Sequence, residues 1–173
     1  MKKVSSKIAA AVILVLLLAA GGWYWHYTHS LEYILRKAVT GLAQTASKEP
    51  GEGNITSAAK FTILGSYLAP TLDIHVDKIY HQEGVSAEDL ASLAWRGRTF
   101  LESLSITPYD ITVTAQDDTH ATAECEVKVD AKSKAGFTFR PDQLYHLEFH
   151  YILDEKSKEW KLAGIRETPI LQR

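Results

Sequence analysis

Thr119-His-Ala-Thr-Ala-Glu-Cys-Glu-Val-Lys-Val-Asp-Ala131 alternates apolar and polar side chains without interruption. Ala121, Ala123, Cys125, Val127 and Val129 share one face, while His120, Thr122, Glu124, Glu126 and Lys128 share the other. A period of two with this asymmetry describes a strand that rests one face on a core and shows the other to water. Such half-covered strands belong to antiparallel sheets.

Working outward, Asp117-Asp118 marks a tight turn. Ahead of it Tyr109, Ile111, Val113 and Ala115 alternate with Asp110, Thr112 and Thr114, which predicts a partner strand. Downstream, a looser stretch through Ser133 to Gly136 and Pro141 leads to a strand over Leu144 to Leu153. In that strand Tyr145, Leu147, Phe149, Tyr151 and Leu153 form the expected inward side, and His146, Glu148 and His150 lie opposite. A polar turn at 154–158 and a last strand from Trp160 to about Thr168 complete an antiparallel meander.

The first half reads mainly as helix. Leu31, Ile34, Leu35, Ala38, Val39, Leu42 and Ala46 recur at steps of three and four and define one helical stripe. Lys48-Glu-Pro-Gly-Glu-Gly-Asn54 ends it, because Pro50 and two glycines cannot continue the ladder. A second helix spans Ser57 to Leu68 and stops at Pro70, and Leu72-Asp-Ile-His-Val-Asp77 alternates as a short strand. Ser86-Ala-Glu-Asp89 is a capping box with Asp in the Glu position. It opens a helix whose inner stripe is Leu90, Leu93, Ala94, Gly97, Leu101 and Leu104, with Pro108 as its stop. The expected class is α+β, about three helices on one face of a curved antiparallel sheet.

Ahead of this domain, Ile8 through Trp25 carries no charge, while Lys2, Lys3 and Lys7 precede it. These 18 residues form a helix of about 27 Å, slightly short for a bilayer core. Trp23, Tyr24, Trp25 and Tyr27 supply the aromatic belt expected at a membrane interface, which favours a retained anchor. A cleavable signal is the competing reading, with small residues at Ala19, Ala20 and Gly21. The expected organisation is a cytoplasmic tail at 1–7, a transmembrane anchor at 8–25 and an extracytoplasmic domain at 26–173. Three lysines before the apolar run keep the N-terminus inside. In a Gram-negative cell this is a single-pass inner-membrane protein with its domain in the periplasm, or a secreted one if the segment is cleaved.

Composition narrows the function. The 173 residues hold 19 Lys+Arg against 21 Asp+Glu, a formal charge of −2, so no basic field is available for nucleic acid. About one domain remains beyond the anchor, which argues against a multidomain enzyme. The single Cys125 excludes an intramolecular disulfide.

The order of elements is similar to the nuclear transport factor 2-like superfamily, also called the SnoaL-like or cystatin-like fold. The stretches that carry the resemblance are Phe61 to Leu68 before Leu72-Asp-Ile-His-Val-Asp77, the Ser86-Ala-Glu-Asp-Leu90 start, Tyr145-His-Leu-Glu-Phe-His-Tyr151, and Glu159-Trp-Lys-Leu162. The resemblance implies a cone of three helices wrapped in a curved sheet over residues 29 to 170. It also implies one of several roles: an isomerase or dehydratase with acid and base groups inside the cone, a binding module without catalysis, or a membrane-anchored component of an export machine.

Several residues are candidates for such roles. His75-x-Asp77, with His81 near in sequence, pairs a carboxylate with an imidazole. His146, Glu148 and His150 project side by side and offer metal donors. Trp95 and Arg98, one helical turn apart, could clamp an anionic ligand, and Tyr109, Tyr145 and Tyr151 could line a pocket for a flat or apolar molecule. The expectation is a membrane-anchored extracytoplasmic binding or assembly module without catalysis and without a cofactor. Its partner is a protein, a second copy meeting the exposed sheet face, or a small apolar ligand. The alternative is a SnoaL-like lyase or isomerase acting on a small organic molecule through His75, Asp77 or a tyrosine in the cone.

Overall fold

The computed structural model describes residues 29–76, 80–135 and 138–168, with backbone alone for 138–143. The expected tail, the anchor at 8–25 and Asp77 lie outside the described residues. Among the described residues no helix is long and apolar enough to cross a membrane. Two compact units divide at Ile34 and Leu35. The described part of the first is the opening of helix α1 (Leu31–Ala46), where Ser30 Oγ accepts from the Tyr33 N–H at 3.2 Å and so satisfies one of the helix's unpaired amides.

The second unit holds the rest of α1, then α2 (Asn54–Tyr67), β1 (Leu68–Val76), β2 (Tyr80–Ser86), α3 (Ala87–Phe100), β3 (Leu101–Ala115), β4 (His120–Ser133), β5 (Thr138–Asp154) and β6 (Glu159–Glu167). The α+β class is as expected, with α2 and α3 packed on each other and on the sheet. The six strands run in the order β2-β1-β6-β5-β4-β3. One expectation is corrected here: the sheet is mixed. β1 pairs with β6 in parallel, Ile74 against Ile165 and His75 against Arg166, while every other pairing is antiparallel. Strands so distant in sequence pair through tertiary packing, which local alternation does not encode.

Local chemistry explains most boundaries. Ser86 caps α3 by accepting from the Asp89 N–H at 3.0 Å and donating to the Asp89 carboxylate at 2.7 Å. Asp117 accepts from the Thr119 and His120 amides, closing the β3–β4 turn. Residues Leu101 and Leu104, expected on the α3 stripe, belong to β3 instead. Lys48 and Leu104 exchange both backbone hydrogen bonds, at 2.7 and 2.9 Å, and this ladder outcompetes helical propensity. Pro108 lies within β3, a position it tolerates because β3 is an edge strand. The core gathers Leu35, Val39, Leu72, Tyr151 and Leu162, each almost fully buried.

Candidate functional site

Against the core lies a half-open cavity of about 280 Å³. Helices contribute Leu42, Ala43, Leu64 and Ala94, and strands contribute Ile106, Val127, Leu147 and Phe149. Among the described residues every side chain of its lining is apolar. The period-two face of β4 reaches this cavity through Val127 and Val129, and the inward face of β5 through Leu147 and Phe149.

The tyrosines expected there are placed differently. Tyr151 is buried in the core and is not part of the cavity lining, and among the described residues its Oη has no hydrogen-bond partner. Burial, reinforced by Cys125 and Tyr67, pushes its phenol above the ordinary range. Tyr145 is half-buried. Tyr109 is 45% exposed and pairs with Glu126. A bulge between Tyr109 and Thr112, with Asp110 at φ 50°, turns it away from the face that carries Pro108 and Val113. Cys125 is buried, and desolvation pushes its thiol up to about 12.

Trp95 and Arg98 come together with partners that sequence spacing does not reveal. Phe61 sits between them, edge-on to Trp95 with centroids 4.9 Å apart and 5.6 Å from the Arg98 guanidinium carbon. Arg98 Nη1 donates to the Thr45 and Ala46 carbonyls, each at 3.0 Å, and Nη2 donates to Glu52 Oε1 at 2.6 Å. The last turn of α1 contains no cation of its own, so Arg98 supplies one from α3. Glu52 also accepts from Ser57 Oγ at 2.6 Å and Lys60 Nζ at 2.7 Å. Burial would raise the Glu52 carboxyl, but hydrogen bonds from Lys60, Ser57 and the Glu49 amide, together with the Arg98 charge, hold it at about 2. Lys48 lies alongside and donates to the Arg98 and Leu101 carbonyls; burial and the charges of Lys134 and Arg98 lower its pKa against the pull of Glu52. A hollow of about 230 Å³ adjoins this cluster. Most of the Arg98 donors are already committed to the protein, and among the described residues Nε–H has no partner.

On the opposite face of the sheet, His146, Glu148 and His150 do not converge on a common point. His146 Nε2 turns to Glu126 Oε1 at 3.7 Å and His150 Nε2 to Glu148 Oε2 at 3.6 Å. Among the described residues the group of three donors close enough for one metal ion is His75, His81 and Glu83. β2, which supplies two of these, was not anticipated from sequence. Tyr80-His-Gln-Glu-Gly-Val-Ser86 buries only Val85 and therefore lacks an alternating apolar face.

No family model matches the sequence, and no curated protein matches it. Solved structures do share the fold. A candidate scytalone dehydratase from Novosphingobium aromaticivorans superposes with a TM-score of 0.56 at 11% identity, over 79% of this chain and 83% of that one. A protein with a cystatin-like fold from Caulobacter vibrioides gives 0.58 at 10% identity, over 80% and 89%. A candidate dehydratase of the nuclear transport factor 2-like family from Streptomyces avermitilis gives 0.59 at 13% identity, over 81% and 96%. At these identities the likeness establishes the fold alone, three helices on a curved mixed sheet of the nuclear transport factor 2-like, cystatin-like type.

Proposed function

We propose that the chain is a membrane-anchored, extracytoplasmic binding module that takes a small apolar ligand into its cavity and performs no chemistry on it. The observation that carries this reading is the cavity lining, apolar throughout among the described residues. At about 280 Å³ the space is close to the lower end of small-molecule pockets, roughly 300 Å³. Anchoring and placement outside the inner membrane rest on the charge-free run of residues 8–25 behind three lysines. The polar outer face, with Glu124, Glu126, Lys128, His146 and His150, is the surface offered to a protein partner or a second copy.

A second reading, a lyase or isomerase, is favoured by the descriptions of the dehydratase neighbours. It requires at least two titratable groups within hydrogen-bond reach of each other in the cavity. Among the described residues the lining offers none, and the buried Tyr151 hydroxyl has no partner there with which to exchange a proton.

The test uses the full chain in lipid nanodiscs, titrated with a neutral naphthylamine probe that brightens in apolar surroundings. Ala94→Phe fills the cavity and should weaken binding by about tenfold or more, with the circular dichroism spectrum unchanged. Equal probe binding by this variant and the parent chain would remove the cavity as the ligand site.

A further inference from the structure

His75 on β1 and His81 on β2 stand directly opposite each other in the antiparallel register. Their rings meet edge to face, centroids 4.2 Å apart and planes at 78°, and their Nδ1 atoms are 2.9 Å apart. Two imidazole lone pairs facing each other repel, so contact at this range needs a proton between them or a cation bound by both. Glu83, two residues beyond His81, brings Oε1 to 3.9 Å from His75 Nε2. One donor atom from each of the three residues lies within 4.8 Å of the others.

The backbone builds this arrangement. The β1–β2 register shifts between Leu72 and Ile74, Gly84 adopts φ 63°, and the Gly84 N–H donates to Asp73 Oδ1 at 2.8 Å. That bulge sets His75 against His81. Leu72 and Ile74 are buried, so His75 belongs to the outer face of the sheet. Beside it lies a hollow of about 370 Å³, lined by Asp73, Glu83, His150 and Arg166 and bordered by Gly164. Gly164 has no side chain to occupy the space.

Two imidazoles and a carboxylate are the donor set of a divalent ion of the zinc class. Donors around a tetrahedral zinc are separated by roughly 3.3 to 3.6 Å; His75 would turn one of its two ring nitrogens to the ion, the three donor atoms start within 4.8 Å of one another, and the exposed Glu83 can move to close the remaining gap. We propose that His75, His81 and Glu83 form a zinc-class metal site on the outer face of the β1–β2 hairpin, with its remaining coordination position open toward the hollow bordered by Gly164. The site lies away from the apolar cavity and does not depend on the ligand-binding reading.

The experiment uses the untagged full chain in lipid nanodiscs, with Co²⁺ as a spectroscopic probe and Zn²⁺ as competitor. The expected result is one saturable site per chain, visible Co²⁺ absorption of tetrahedral intensity, and its loss on adding Zn²⁺. Because losing even an outer partner of a metal ligand costs about tenfold in affinity, His81→Ala and Glu83→Gln should each cost at least that. His146→Ala should leave the Co²⁺ affinity unchanged. His81 and Glu83 are both exposed, so thermal melts of the two variants should match the parent. Absence of saturable binding, equal affinity in His81→Ala, or a loss that follows His146→Ala instead would each overturn the assignment.

Discussion

Arg98 Nη2 meets Glu52 Oε1 at 2.6 Å with both side chains almost wholly withdrawn from water. The pair ties the loop after α1 to α3, and the other arm of the same guanidinium closes the end of α1 on the Thr45 and Ala46 carbonyls. Arg98→Ala leaves a buried carboxylate with one cation fewer and two carbonyls without their donor. The expected loss is about 3–5 kcal/mol, read by urea denaturation. Arg98→Lys should recover less than half of it, since an ammonium cannot span a carboxylate and two carbonyls in a planar fork. Stability within about 1 kcal/mol of the parent for Arg98→Ala would show that the pair does not hold the helices together.

The same carboxylate predicts a pH limb. Glu52 is held at about 2 in the folded chain against an ordinary 4.5. Above pH 4.5 it is ionised in both folded and unfolded states, and its stabilisation is fully present. As pH falls from 4.5 toward 2, the unfolded chain takes up the proton first and that contribution, on the order of 3 kcal/mol, is lost. Denaturation midpoints measured across this range should fall less steeply in Glu52→Gln than in the parent, although the variant starts lower at pH 7.

Residues close in sequence declared themselves, and residues brought together by topology did not. The α1 stripe spans Leu31 to Ala46 as its spacing predicts, and the Ser86 capping box and the Asp117 turn sit where their side chains dictate. The parallel β1–β6 pairing, the polar strand β2 and the outward turn of Tyr109 depend on bulges and long-range register. Of the site, Arg98 was visible as a candidate, but Glu52 lies 46 positions away in a loop where a carboxylate has no periodic signal. His81 was noted near His75 in sequence, but Glu83 shares that obscurity, because only the β1–β2 register sets the three together.

Cys125 should behave as an inert thiol. With burial pushing it up to about 12, the thiolate at pH 8 is about one part in ten thousand. Labelling by an aromatic disulfide reagent should therefore run roughly a thousandfold slower in the native chain than in denaturant. Equal rates at pH 8 would mean that the β4 face opens readily.

Tyr151→Phe should stabilise the chain. The ring is buried to 2% exposure and among the described residues its hydroxyl has no hydrogen-bond partner, so the folded chain bears a desolvation cost with no compensating bond. Removing the oxygen keeps the packed ring and should raise stability by about 1 kcal/mol. A loss of similar size would reveal a hydrogen-bond partner for Oη.

Gly41 and Tyr67 give the sharpest packing test. A Cβ at Gly41 would fall on Tyr67 Oη and come within 3.0 Å of its Cζ, so the tyrosine ring occupies the space that glycine leaves on α1. Gly41→Ala brings two opposed effects. Helix propensity favours alanine by about 1 kcal/mol, while overpacking against a rigid ring costs about 1–3 kcal/mol. The expected sum is a modest net loss in the parent background. Tyr67→Phe removes the atom in deepest conflict, so Gly41→Ala in that background should become neutral or stabilising. The double-mutant cycle should then give a coupling of about 1 kcal/mol or more. Additive single-variant effects would mean that α1 and α2 adjust freely and that the glycine is not needed for this contact.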